Sequence, residues 1–143
     1  MENITVEKIY NAPVQTVWKA ITDRAQMKQW YFDFPPEFKP EVGAQFDWEA
    51  GGPEGEKWLH RGKILEAVEN KKLSHSWEYP GYSGKSTVTW ELIPVEGNKT
   101  KVVLTHVFDV PFDKNVKAFD RSNFVGGWTH IVTISLAEFL EKN

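Results

Sequence analysis

No cysteine occurs in the 143 residues, which excludes disulfides, thiolate metal sites and a cysteine nucleophile, and leaves the redox compartment open. No stretch is long and apolar enough to span a bilayer. The opening MENITVEKIY alternates polar and apolar residues and lacks the basic head and apolar run of a secretory signal, so a cytoplasmic location is expected. On that expectation the sequons at Asn3 (NIT) and Asn98 (NKT) are coincidental, because an acceptor asparagine matters only in a secreted chain. Neither acidic nor basic residues predominate, at 20 Asp and Glu against 17 Lys and Arg. A formal net charge of -3 supplies no basic stripe for phosphates, which argues against nucleic acid and against anionic membrane as partners.

Several catalytic signatures are missing too. There is no G-x-S-x-G elbow and no HExxH. The GKS at Gly84–Ser86 has tyrosine, Tyr79, where a phosphate-binding loop needs glycine, and a strand pattern follows it instead of a helix. The carboxylates Asp47, Glu49, Glu78 and Glu91 alternate outward with polar neighbours, which leaves glycosidase-type acid/base chemistry without carriers.

Aromatic side chains are abundant, at 14% with seven tryptophans, and their positions organise the rest of the reading. The length suits one domain over residues 1–143 with one continuous core. The charged fraction of 26% beside 41% hydrophobic residues is ordinary for a chain that folds throughout.

Alternation from Ile4 to Tyr10 predicts a first strand. In NAPVQTVWKAIT, Pro13 suits a first helical position and Val14, Val17, Trp18 and Ile21 keep a helical stripe. Asp23 caps a second short helix with Met27, Trp30 and Tyr31 on its apolar side, and the prolines at 35, 36 and 40 end it. The segment FDFPPEFKP, Phe32 to Pro40, is expected to be an irregular loop beside a cavity mouth or a connector with buried anchors. Five strands joined by short turns follow. Their inward faces carry Ala44, Phe46, Trp48 and Ala50; Trp58, His60, Gly62 and Ile64; Leu73, His75, Trp77 and Tyr79; Val88, Trp90 and Leu92; and Val102, Leu104, His106 and Phe108. Such a meander has one covered face and one wet one. A C-terminal helix over about 123–142 supplies the cover, with Phe124, Trp128, Val132, Leu136 and Phe139 in its stripe.

Seven pieces stand in this order: NAPVQTVWKAITD, QMKQWY, PEVGAQFDW, RGKILEAVENKKLSHSWEY, STVTWELIP, TKVVLTHVF and GGWTHIVTISLAEFL. None is specific alone. Together, in order and spacing, they make the chain resemble the activator-of-Hsp90-ATPase-like group of the START/Bet v 1 superfamily over essentially its whole length. The resemblance implies an α+β helix-grip fold, a curved antiparallel sheet wrapped around a long C-terminal helix with two short helices after the first strand. It also implies a hydrophobic cavity between sheet and helix that takes lipids, polyketides or other apolar small molecules. The eukaryotic Hsp90 activator carries a further N-terminal domain important for engaging the chaperone. A stand-alone domain is therefore expected to serve a small hydrophobic ligand first, with an Hsp90-type chaperone the lesser expectation.

Three inward histidines on one sheet are unusual, since a dry core has no use for imidazole unless each ring nitrogen finds a partner or a water. A void of ~300 Å³ at ~24 cal/mol per Å³ would cost ~7 kcal/mol, comparable to a domain's whole stability, so a cavity of that size would hold water or ligand. The expected ligand-binding set is Phe46, Trp48, Trp58, His60 and His75, with Trp77, Val88, Trp90, Leu104 and His106. Phe108, Phe124, Trp128 and Val132 complete it. Tryptophan and phenylalanine would sandwich an aromatic or fused-ring body while a histidine orients it. A three-histidine metal site would need convergence that inward strand positions alone do not supply, so neither metal nor cofactor is expected. The leading expectation is a binding protein, monomeric or weakly dimeric. The alternative is a cyclase or isomerase using a cavity histidine as general base, with no catalytic residue assigned.

Overall fold

Period-two burial runs through the sheet of the computed structural model, which describes residues 2–142, except at Ser74, which is buried between Leu73 and His75; Met1 and Asn143, the ends of the expected 1–143 domain, lie outside the described residues. Strands β1 (Ile4–Tyr10), β2 (Gln45–Gly51), β3 (Lys57–Val68), β4 (Lys72–Trp77), β5 (Lys85–Val95) and β6 (Lys99–Val110) form one antiparallel sheet in the order β1-β6-β5-β4-β3-β2. Phe46, Trp48, His60, Ile64, Leu73, His75, Trp77, Val88, Trp90, Leu104, His106 and Phe108 are all buried on one face, as the alternation requires. The other face carries Asp47 and Arg61, joined by a bidentate pair of hydrogen bonds at 2.8 and 2.9 Å.

Two register shifts, between Ile64 and Glu66 in β3 and between Lys85 and Ser86 in β5, mark where the strands bend. Gly62 sharpens the packing in β3. A Cβ there would stand 2.7 Å from Phe46 Cζ and 2.9 Å from the Ser76 carbonyl, so the missing side chain is what lets the Phe46 ring lie against the sheet.

Helices α1 (Val14–Thr22) and α2 (Arg24–Trp30) follow β1. Pro13 sits one residue before α1 as its cap, a shift of one position from the sequence expectation. The Asp23 carboxylate accepts the Gln26 amide at 3.3 Å and caps α2. The Trp30 indole donates to the Ala20 carbonyl at 3.0 Å, which fixes α2 against α1.

After a 3-10 turn at Lys117–Phe119, the long helix consists of α3 (Arg121–His130), a π turn (Ile131–Ser135) and α4 (Leu136–Lys142). It begins two residues earlier than its apolar stripe suggested, and Arg121 donates to the carbonyls of Glu2 and Asn3 at 3.1 and 2.9 Å. The π turn has a cause in the sequence. Phe124, Trp128, Val132, Leu136 and Leu140 are buried at strict four-residue intervals. An α-helix advances about 40° too far at each such step, and a wider turn removes part of that drift. The Tyr10 hydroxyl of β1 donates to the Val132 carbonyl within this turn.

A buried chain of hydrogen bonds ties this helix to the sheet. The Trp128 indole donates to His106 Nδ1 at 2.9 Å. An indole only donates, so Nδ1 must accept and the proton of the neutral ring sits on Nε2. His106 Nε2 then donates to Ser86 Oγ at 2.8 Å, and Ser86 donates to the Trp77 carbonyl at 2.7 Å. Each link fixes the direction of the next. Trp128→Phe leaves His106 Nδ1 buried without a donor, for which the expected loss is ~1 to 3 kcal/mol in urea unfolding. Combined with His106→Phe, the two losses should fall short of additivity by on the order of 1 kcal/mol or more. Strictly additive losses would mean that the tie carries no stability.

Candidate functional site: an aromatic pocket

A pocket of about 300 Å³ opens between the β2–β3 end of the sheet and α3. Ala50 and Gly51 at the end of β2, and Gly52 and Pro53 of the following turn, form one side. Trp58 and His60 of β3, Trp77 at the end of β4, and Tyr79 just beyond it form the back. Ala118 and Phe119 of the 3-10 turn and Asn123, Phe124, Gly127, Trp128 and Ile131 of the long helix close the front, and Phe32 reaches in from the loop after α2. Among the described residues no Asp, Glu, Lys or Arg lines it.

The back wall is built by strand alternation plus ring packing. His60 lies nearly parallel to Trp48, with ring centres 4.9 Å apart, and meets Trp77 edge-on at 5.1 Å. Its Nδ1 donates to the Trp58 carbonyl at 2.8 Å, so in the neutral ring Nε2 carries the lone pair. Burial pulls the His60 pKa down to about 4, outweighing the Trp58 and Trp48 carbonyls, which favour the charged form. The Trp77 indole donates to the Tyr79 hydroxyl at 3.1 Å, and Tyr79 stacks on Phe119 at 4.2 Å. Burial holds the Tyr79 phenol above its usual range, against the smaller opposing effect of the bond from Trp77. The Trp58 indole N–H is buried and finds no partner among the described residues, a state that few native polar groups occupy.

Of the fourteen residues expected from sequence, Trp58, His60, Trp77, Phe124 and Trp128 line this pocket. Phe46, Trp48 and His75 stand outside its wall as a layer of rings, with Trp48 pressed on His60 and Phe46 5.7 Å from His75. His75 donates from Nδ1 to the Ser76 carbonyl at 2.8 Å, and burial lowers its pKa to about 4. Val88, Trp90, Leu104 and Val132 are fully buried core. His106 and Phe108 pack beneath Phe124 at 5.2 and 5.5 Å, His106 being held in the tie to Trp128. Burial, and secondarily the charge of His75, lowers the His106 pKa to about 3. The three histidines each hold a hydrogen-bond partner of their own, and among the described residues no three His, Asp or Glu side chains gather as a metal site.

Alternation identifies the face and carries no depth along each strand, so it does not separate residues at the pocket from those packed behind it. Phe32, Tyr79, Phe119, Asn123, Gly127 and Ile131 line the pocket without having been in the expected set. Tyr79 had a signal, since it continues the inward series of Leu73, His75 and Trp77. The loop Phe32 to Pro40 combines both expectations: Phe32 lines the pocket, while Phe34 and Phe38 are buried anchors.

An antiparallel sheet gripping a long helix, with an aromatic pocket at one end, defines the helix-grip class of α+β domain. The chain belongs to the family of activator of Hsp90 ATPase homolog 1-like proteins, whose family model matches residues 11–141. It is similar to protein MLL2253 from Mesorhizobium loti, at 23% identity and a TM-score of 0.77 over 99% of this chain and 98% of that one. Protein CV1439 from Chromobacterium violaceum superposes with a TM-score of 0.80 at 18% identity, covering 100% of both chains. PFC0360w, an HSP90 activator from Plasmodium falciparum, superposes with a TM-score of 0.75 at 22% identity over 99% of this chain and 97% of that one. At these identities the likeness is one of fold. No curated protein matches the sequence. Among the described residues no helix is long and apolar enough to cross a membrane.

The buried histidines make the domain sensitive to acid. His60, His75 and His106 have folded pKa values of about 4, 4 and 3, below the ~6.5 of an unfolded histidine. Their contribution is complete above pH ~6.5 and is lost as pH falls toward the folded values, because the unfolded chain binds more protons. Stability should fall by up to about 4 kcal/mol per pH unit near pH 5, the slope for three protons. Urea unfolding between pH 7 and 5 checks this; a flat profile would mean that the imidazoles are protonated in the fold.

Proposed function

We propose that this domain binds a small, largely apolar molecule with an aromatic or fused-ring body in the pocket between β3 and α3, and that it holds the molecule without transforming it. The observation that carries the reading is the pocket wall: seven aromatic rings from Phe32, Trp58, Trp77, Tyr79, Phe119, Phe124 and Trp128, no charged side chain, and one histidine. Flat rings offer large rigid area to a flat ligand, and a few polar atoms fix its orientation. His60 Nε2 is the acceptor available for that purpose, and the Trp58 N–H is a donor that finds no partner among the described residues. The ligand-contacting set is accordingly Trp58, His60, Trp77, Phe124 and Trp128 of the sequence expectation, joined by Phe32, Tyr79 and Phe119.

Binding is favoured over catalysis by the same electrostatics. A general base works best with a pKa near the operating pH. His60, near 4, is a weak base at neutral pH, and no carboxylate lines the wall to raise it. A chaperone-directed role rests on likeness of fold to the P. falciparum protein and has no counterpart in the pocket.

Native mass spectrometry of freshly purified protein, followed by organic extraction, should release an apolar molecule. His60→Phe keeps the ring on Trp48 and removes the lone pair. It should weaken a hydrogen-bonding ligand by ~0.5 to 1.5 kcal/mol, roughly two- to tenfold in Kd, with the fold retained. Protein that emerges empty and takes up no aromatic compound in titration would sink the reading.

A further inference from the structure

Gly126 and Gly127 lie in the middle of α3. A helix-interior glycine is less favourable than alanine by ~1 kcal/mol, so a pair of them needs a reason. The usual two are missing. Neither glycine has the positive φ that side chains avoid, both are exposed, and a Cβ built at either position meets no atom of the described residues within 4 Å beyond its chain neighbours and the helix's own backbone. No neighbouring backbone or side chain therefore requires the space. The two positions differ in one respect: Gly127 lines the pocket and Gly126 does not.

Gly127 follows Asn123 and precedes Ile131 at four-residue intervals, and all three line the pocket. On one side of Gly127 stands Asn123, on the other Ile131, and the helix backbone itself is the wall between them. Across the opening lie Trp58 and His60 of β3. A Cβ at 127 meets open space at the pocket's edge, so a side chain there would take up room that the pocket now has.

We infer that Gly127 sets the size of the molecule the pocket accepts: the missing side chain is the space in which the ligand's ring system lies against the helix. This rests on the binding reading above and adds a residue that decides between large and small ligands. Alanine at 127 would narrow the pocket by a methyl group while stabilising the helix, so affinity and stability should move in opposite directions. At 126 only stability should move.

The test uses two uncharged aromatic probes, N-phenyl-1-naphthylamine and the smaller 1-naphthol. Binding is read by energy transfer from protein tryptophan to the former and by competition for the latter, alongside thermal unfolding of each variant. Gly126→Ala and Gly127→Ala should both raise Tm. Gly127→Ala should weaken N-phenyl-1-naphthylamine by about tenfold, the usual size of an overpacking effect, and leave 1-naphthol within about twofold. Gly127→Leu should abolish binding of the larger probe, whereas Gly126→Leu retains it. If the native protein binds both probes and Gly127→Leu binds the larger one equally well, the size-setting role is overturned while the pocket reading stands. If the native protein binds neither, both fall together. Loss of binding in Gly126→Leu equal to that in Gly127→Leu, with both folded, would also overturn the role, since a general change in the helix would then explain it.

Discussion

A helix laid across a curved sheet is held by contacts that are individually indifferent to small rotations, because apolar packing has no direction. The bond from the Trp128 indole to His106 Nδ1 has one. It demands a single rotation of the helix, one tautomer of the imidazole and one orientation of Ser86, whose proton must go to the Trp77 carbonyl. Each of these hydrogen bonds is buried, so a helix turned out of register would strand several polar atoms at once. The Trp77 ring packs against Trp128 at 5.4 Å, so the residue at the end of the tie also touches the residue at its start.

The pocket depends on that tie and is placed by what covers the rest of the sheet. Helices α1 and α2 lie over the β5–β6 side, where Trp30 meets Trp90 edge-on at 6.0 Å, and α2 also meets α4. At the β2–β3 end the cover is α3, the 3-10 turn and the loop after α2, whose Phe32 reaches the pocket while Phe34 and Phe38 pack on Trp48 and Phe46 at 5.1 and 4.9 Å. The opening lies at the end of the sheet that α1 and α2 do not cover. Trp128 belongs to both regions, because its indole is committed to His106 while its ring forms part of the pocket wall. One side chain therefore couples the position of the helix to the shape of the cavity.

The sequence made much of this fold legible because five strands alternate cleanly, and an inward series such as Val102, Leu104, His106 and Phe108 has one reading. The order of β2 to β6 followed from short turns, whereas the place of β1 beside β6 had no local signal. What alternation could not supply was distance along the strand. His60 and His75 are equally inward and equally aromatic in their surroundings, yet His60 lines the pocket and His75 is sealed behind Trp48 and Phe46. The π turn escaped for a related reason. A search at a period of 3.6 registers Phe124, Trp128, Val132 and Leu136 as one stripe and passes over the accumulated rotation that strict spacing by four produces. The contribution of the 3-10 turn, through Phe119, comes from a segment with no periodic pattern at all.

The histidines show how a residue type that suggests chemistry can belong mainly to architecture. An imidazole in an aromatic core must be neutral, because no carboxylate stands beside it to offset the cost of desolvating charge. Neutral, it has one donor and one acceptor, and that asymmetry is useful. His106 spends both on joining helix to sheet. His75 gives its Nδ1 proton to the adjacent backbone. His60 gives its Nδ1 proton to the backbone of Trp58 and turns its ring to the cavity. Position relative to the helix separates these roles: beneath Trp128 the imidazole becomes a structural link, and at the open end of the sheet it is part of the wall.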